Sequence, residues 1–463
     1  MKKLIGNKAF YKMVLLVAVP IMVQNGITNF VNLLDNIMVG RIGTEQMSGI
    51  AIVNQLMMVF NVTIFGVISG AGIFGAQFAG CKDHKGVRNT FRFKIISCFV
   101  MLVLGVFIFL AFGEQLIMLY LNGEGNDASL EAALYYGKQY LLVILLSLPP
   151  LCVEQMYSST LRECGETILP MKAGIAAVLV NLVLNYLLIF GTFGFPQMGV
   201  IGAAIATVIA RYIQAVIVVL WTHQHAQQMP FIVGAYKELR IPKQLVQNIM
   251  IKGTPLILNE FFWSAGMATL TQCYSIRGLE AVAALNIASV ISNLFNVVFL
   301  AMGNSVSIII GQLLGAGKME EAKDTDAKLI AFSVGSCVLI GSVLAIFAPL
   351  FPMIYNTTDR VKELATGIIR VAALCMPMAA FTHATYFTLR SGGKTVITFL
   401  FDSVFMMCVN VPIAYVLSRY TLIPLILLYF CCQAIDIIKC IVGFVLVKKG
   451  VWLQNIVAST AAD

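Results

Sequence analysis

Twelve apolar stretches follow one another along the chain, at about 12–40, 47–79, 95–120, 132–157, 168–190, 198–222, 247–274, 281–314, 328–353, 363–388, 396–418 and 421–447. Each reaches the roughly 20 residues a helix needs to cross a bilayer. Polar positions within these stretches are few and therefore informative. In the first, Asn25, Asn29, Asn32 and Asp35 recur at spacings of four, three and three, which lines them along one helical face. A carboxylate at the centre of a bilayer costs about 3 kcal/mol or more, so Asp35 is expected to face protein or a water-filled cavity.

Composition turns this pattern into a class. The chain is 59% hydrophobic and only 11% charged, where soluble domains carry roughly 25% charged residues, so a polytopic membrane protein is expected. The net charge of +9 does not indicate nucleic acid, because the basic residues are scattered between apolar stretches. The N-terminus (Lys2, Lys3, Lys8, Lys12) and alternate loops hold most of them: Lys82 to Lys94, Arg162 and Lys172, Lys237 to Lys252, Lys318 to Lys328, Arg390 and Lys394, Lys448 and Lys449. By the positive-inside rule these sides, and both termini, are expected to be cytoplasmic. Met1-Lys2-Lys3 leads into an apolar segment without a small-residue cleavage pattern, so the first helix is expected to be retained. The eleven cysteines fall mostly inside apolar segments with no C-x-x-C spacing, which indicates neither a zinc site nor a disulfide framework.

The longest loop, from His223 to about Val246, divides the chain nearly in half, and the halves resemble each other. At an offset of 235, Pro20 falls on Pro255, Gly43 on Gly278, Phe60 and Asn61 on Phe295 and Asn296, Gln77 on Gln312, and Gly80 on Gly315. At an offset of 228, Leu161-Arg-Glu-Cys-Gly-Glu-Thr167 aligns with Leu389-Arg-Ser-Gly-Gly-Lys-Thr395. A duplication of six helices enters the membrane twice from the same side, which makes a parallel repeat. The expected fold is all-α, with twelve transmembrane helices in two six-helix lobes related by a pseudo-two-fold axis. The expected divisions are an N-terminal lobe over 1–222, a cytoplasmic interlobe loop over 223–246, a C-terminal lobe over 247–450 and a polar tail over 451–463.

Asp35-Asn-Ile-Met-Val-Gly-Arg-Ile-Gly43, Gly311-Gln-Leu-Leu-Gly-Ala-Gly317 and the twice-repeated Leu-Arg-x-x-Gly-x-Thr resemble the multidrug and toxic compound extrusion (MATE) family over essentially all of 10–447. The resemblance implies two lobes around a central cavity and export of amphipathic, often cationic compounds in exchange for Na⁺ or H⁺. It also implies a cation site in the N-terminal lobe. The matching positions are Asp35, as the acid and a Na⁺ ligand, with Asn181, Asn185 and Thr207. Apart from the resemblance, these residues fall at similar depths in the outer half of their helices at 1.5 Å per residue. One carboxylate with amide and hydroxyl oxygens suits a hard monovalent cation, and the same carboxylate could accept a proton instead. Some relatives carry a second acid where this chain has Asn185.

In the second half, Glu260 falls near mid-membrane, and its partner at the 235 offset is Asn25. In some relatives an acid near this position serves coupling or substrate binding; here Asn259 and Trp263 would add a hydrogen bond and a cation–π face. His383 is the titratable group of the tenth stretch, either a proton relay or a core histidine. Asp402, Glu154 and Asp436 read as structural, with Asp436 pairing to Lys439 three residues on, and Arg211 is expected to reach an acid. Asn356-Thr-Thr358 has the pattern of a glycosylation sequon. The expected partners are organic small molecules, Na⁺ or H⁺ and the lipid bilayer of a bacterial plasma membrane, with no cofactor, no nucleic acid and a monomeric chain. A flippase of lipid-linked or other anionic amphiphiles is the alternative, favoured by a cavity lined with cations. An enzyme is not expected, since H-E-x-x-H, G-x-S-x-G and P-loop motifs are missing.

Overall fold

In a computed structural model, the structure describes the backbone of residues 4–40, 43–121, 127–355 and 357–458, and their side chains apart from 32, 33, 35–37, 39, 40, 44, 127 and 128. Twelve helical segments run through these residues. In the first half they are α1 (Lys8–Gly40), α2 (Thr44–Gly80), α3 (His84–Leu121), α4 (Asp127–Ile144 and Leu148–Glu163), α5 (Ile168–Phe190) and α6 (Gly199–Gln224). In the second they are α7 (Lys243–Ser275), α8 (Leu279–Gly315), α9 (Met319–Phe347), α10 (Asp359–Ser391), α11 (Thr395–Tyr420) and α12 (Leu425–Lys449). Eleven are long and apolar enough to cross a membrane. The remaining one, α7, carries Lys252, Asn259 and Glu260 within its length. In α3, the most apolar window has a mean hydropathy of 3.0 and is only 17% buried. Water would penalise such a surface and lipid would not.

Two helices depart from a regular ladder for different reasons. Pro149 and Pro150 have no N–H to donate, and a 3₁₀ turn over Leu145–Ser147 joins the two parts of α4 just before them. In α11, two π-helical stretches, Leu400–Val404 and Met406–Asn410, precede Val411-Pro412. Pro20, Pro255 and Pro377 lie inside α1, α7 and α10, the first two at positions paired by the repeat. At the start of α10, the Thr358 hydroxyl accepts a hydrogen bond from the Val361 amide at 3.3 Å, an N-cap.

The chain forms two compact units that do not follow the sequence midpoint. One comprises Val23–Gly75 and His84–Val246. Within it α5 and α6 pack along their length. The loop after α6 is held to α3, because Arg88 donates to the carbonyls of Phe231 (3.1 Å) and Pro230 (3.2 Å) and Arg92 to those of Ala235 (3.0 Å) and Gly234 (2.9 Å). Phe231 is buried there against Phe91.

The other unit comprises Met1–Met22, Ala76–Asp83 and Gln247–Asp463. Val14, Ala18 and Ile21 of α1 complete a core with Ala301, Met302 and Val306 of α8. Where α2 meets α8, the backbones touch reciprocally: a Cβ on Gly80 would overlap the Gln312 carbonyl, and one on Gly315 would overlap that of Gln77. These are the residues the 235 offset pairs, so the contact has the symmetry of the repeat.

The described part of the tail, 451–458, is docked rather than the polar extension expected over 451–463. Trp452 is fully buried, Ile456 N–H donates to Gln77 Oε1 at 2.8 Å, and Asn455 Nδ2 donates to the Gly315 carbonyl at 3.0 Å. The physical reason lies in Val451, Trp452, Leu453, Ile456 and Val457, an apolar set that is driven to dock despite the polar residues between them.

Candidate functional site

Two polar constellations sit inside apolar helices, one in each compact unit. In the first, Asn181 and Asn185 share a face of α5 and are both buried. Asn185 Nδ2 donates to Asn181 Oδ1 at 3.2 Å, Asn181 Nδ2 donates to Thr207 Oγ1 at 3.3 Å, and Thr207 Oγ1 donates to the Ala203 carbonyl at 3.1 Å. Three residues expected to act together are thus one hydrogen-bonded ladder between α5 and α6. Their oxygens are neutral, so a cation would need a carboxylate as well. Asp35, expected to supply it, belongs to α1 but its side chain lies outside the described residues, as do that of Asn32 and the whole of Asn356. Asn25 and Asn29 are half-buried on α1. Arg211, expected to meet an acid, instead donates to the amide oxygen of Gln214 at 3.4 Å, because that side chain is one turn away on its own helix.

The same unit also holds an ion pair that the sequence did not reveal. Lys94 and Arg162, expected in cytoplasmic loops, lie within α3 and α4 because these helices extend beyond their apolar windows. Lys94 Nζ, fully buried, donates to Glu163 Oε1 (2.7 Å) and Oε2 (2.8 Å), Ser159 Oγ (2.9 Å) and Thr160 Oγ1 (3.0 Å). Gly72 and Gly75 face the Glu163 carboxylate, so their missing side chains make room for it. Three ammonium protons meet four acceptors, which marks a satisfied structural pair.

The second constellation is denser. Asn259 on α7 is buried, and its Nδ2 donates to Asp402 Oδ2 at 3.2 Å and to the Tyr386 hydroxyl at 3.3 Å. Ser403 Oγ donates back to the Asn259 carbonyl (2.6 Å) and to Oδ1 (2.7 Å). Lys439 Nζ on α12 donates to Asp402 Oδ1 at 3.3 Å and lies 3.9 Å from Asp436 Oδ1, over the Phe405 ring at 5.3 Å. The neighbour expected for Lys439, Asp436, is therefore its more distant one. Asp436 Oδ1 in turn accepts from Asn410 Nδ2 at 3.2 Å.

Glu260, half-buried next to Asn259, feels the charges of Arg390 and Asp402. Arg390, assigned to a loop from sequence, is buried within α10 with its guanidinium 5.2 Å from the Phe387 ring. His383 is walled by the rings of Phe299 (5.4 Å), Phe387 (5.0 Å) and Tyr386 (6.4 Å). Trp263 is 39% exposed. The structure thus joins Asn259 to a hub at Asp402 that sequence reasoning had set aside. The available signal was Lys439, a lysine inside an apolar stretch.

The matches with known proteins cover nearly the whole chain. A probable multidrug resistance protein NorM of Thermotoga maritima is 24% identical over 412 residues, covering 87% of this chain and 84% of that one. The probable multidrug resistance protein YoeA of Bacillus subtilis is 22% identical, covering 87% and 86%. Among solved structures, an outward-facing multidrug resistance MATE family transporter of the MOP superfamily superposes with a TM-score of 0.85 at 18% identity, covering 96% of this chain and 97% of that one. A MOP superfamily transporter from Pyrococcus furiosus gives 0.83 at 18% identity, covering 96% of each chain. The MatE family model matches residues 20–187 and 255–416, two segments that begin on Pro20 and Pro255, the prolines paired by the internal repeat. A twelve-helix duplication that carries the family's pattern once in each half belongs to the MatE family of multidrug and toxic compound extrusion transporters, and is not an enzyme.

Proposed function

We propose that this transporter exports amphipathic, mainly cationic organic compounds in exchange for a monovalent cation, Na⁺ or H⁺, from a bacterial plasma membrane with both termini in the cytoplasm. The observation that carries the reading is the pairing of family membership with two buried polar constellations in otherwise apolar helices. Such groups are costly in a membrane and are retained where ions or substrates pass. The relatives named multidrug resistance proteins support efflux as the direction. In this reading Asp35 takes the ion with Asn181, Asn185 and Thr207, and binding there repacks α1 against α5 and α6. Glu260, beside Asn259, balances the charge of a cationic substrate. Coupling requires that ion and substrate prefer opposite states of an alternating-access cycle.

The anionic-substrate alternative needs unbalanced buried cations; Lys94 and Lys439 each have carboxylate partners, and the buried Arg390 lies within the field of Glu260. The test is uptake of a fluorescent organic cation into proteoliposomes under imposed Na⁺ and H⁺ gradients applied separately. The expected outcome is gradient-driven movement that Asp35→Asn abolishes and Glu260→Gln weakens. Movement at the normal rate in Asp35→Asn would remove that residue from the coupling role. No cation movement under either gradient would turn the reading towards lipid-linked anions.

A further inference from the structure

Two carboxylates, Asp402 on α11 and Asp436 on α12, flank a single buried ammonium, that of Lys439. The contacts, 3.3 and 3.9 Å, are longer than the 2.7–2.9 Å typical of a tight charge-assisted bond. The nitrogen is shared between two acids and backed by the face of Phe405, as a bound cation would be. A further oxygen sits on a side chain bonded to this shell: Asn410 is 4% exposed, its Nδ2 donates to Asp436, and its Oδ1 is buried with no hydrogen-bond donor. The charged and titratable groups whose electrostatics connect to this cluster include Glu260 on α7, Cys375, His383, Tyr386 and Arg390 on α10, and Cys440 on α12. Glu260 and Arg390 carry opposite charges when ionised. The shell of Asp402, Asp436 and Lys439 therefore keeps one more negative charge than positive.

We propose that this shell is a monovalent-cation site whose cation is part of the chain: the Lys439 ammonium stands where a free sodium ion would bind, and its presence closes this shell to alkali ions. This rests on the ion-coupled reading above and narrows it, since the Asp402 and Asp436 carboxylates are then withdrawn from sodium while the α1, α5 and α6 region keeps its expected role. Carboxylate and amide oxygens are hard ligands that suit Na⁺. Removing the ammonium leaves two uncompensated carboxylates beside an idle carbonyl oxygen, which strongly favours uptake of a replacement cation.

The test reads binding rather than transport, so it stands apart from the efflux assay. Thermal unfolding of the purified full-length chain is followed in 100 mM NaCl against 100 mM choline chloride, in an Asp35→Asn background that silences the other expected ion position. Asp35→Asn alone should melt at the same temperature in both salts. Adding Lys439→Ala should lower the melting temperature in choline and create a sodium-specific rise of about 2 °C or more. Adding Asp402→Asn to that pair should remove the rise, and Lys439→Arg, which keeps a cation, should stay insensitive to sodium. Lys439→Gln, which removes the charge while retaining reach, is the second variant. Absence of a sodium response in both Lys439→Ala and Lys439→Gln overturns the proposal. So does a sodium response in Asp35→Asn that Asp402→Asn abolishes while Lys439 is present.

Discussion

Lys94 and Lys439 are both lysines inside apolar helices, yet their surroundings give them different tasks. Lys94 meets four acceptors within 3.0 Å, every one a protein oxygen on α4. Glu163→Gln should therefore destabilise the fold by about 3–5 kcal/mol, since it leaves a buried ammonium without its charge partner. The measurement is the melting temperature in detergent, and the double variant Lys94→Met/Glu163→Leu should recover most of the loss. An unchanged melting temperature for Glu163→Gln would show the pair to be solvated. Neither lysine's role was legible from spacing. Lys94 reads as a loop residue because charge clusters just outside the apolar window, and although spacing pairs Lys439 with Asp436, its nearer partner, Asp402, comes from a helix some 37 positions earlier in the chain. Asn181, Asn185 and Thr207 were legible, because an i,i+4 pair shows its face in the sequence itself.

Helices were predictable as elements, but their irregularities only in part. The 3₁₀ break in α4 follows from Pro149 and Pro150, which any reader of the sequence can see. The π stretches in α11 have no such marker before Asn410, yet the first presents Asp402 and Ser403 to α7 and α12, and Phe405 lies between the two. Wide turns of this kind recur at functional sites because they re-aim side chains. Deleting Val404 should return the segment towards a regular α repeat and rotate Asp402 relative to Asn410. Transport of an organic cation should fall at least about tenfold while the protein still folds, a loss worth about 1.4 kcal/mol. Retained transport would mean that the π geometry is incidental. At the crossing of α2 and α8, Gly80→Ala pushes a methyl group into a backbone carbonyl that has no rotamer to escape by. A cost of about 1–3 kcal/mol is expected, measured by unfolding, and Gly315→Ala should match it because the contact is reciprocal.

For the molecule as a whole, the repeat was legible and the partition into compact units was not. The offset of 235 fixed six helices per half, whereas Met1–Met22 and Ala76–Asp83 join the unit built mainly from the second half. Long-range packing decides this, and no local pattern carries it. The tail was misread for a related reason. Its five apolar residues are interspersed with polar ones and show no period, but Trp452 alone brings a large area to bury. Truncation after Val451 should lower the melting temperature by several degrees through the loss of that burial and of the bonds to Gln77 and Gly315. A truncated chain as stable as the full one would show the docked tail to be dispensable.

The reciprocal touch of Gly80 on Gln312 and Gly315 on Gln77 is the pattern of a self-complementary dimer interface, in which each residue meets the counterpart of its own neighbour. Covalent continuity is then not what holds the polypeptide's two ends to each other. Residues 1–240 and 241–463, produced as separate polypeptides nicked in the exposed stretch 236–240, should find one another in the membrane and co-purify. The later fragment made alone lacks Val14, Ala18 and Ile21, and should be degraded.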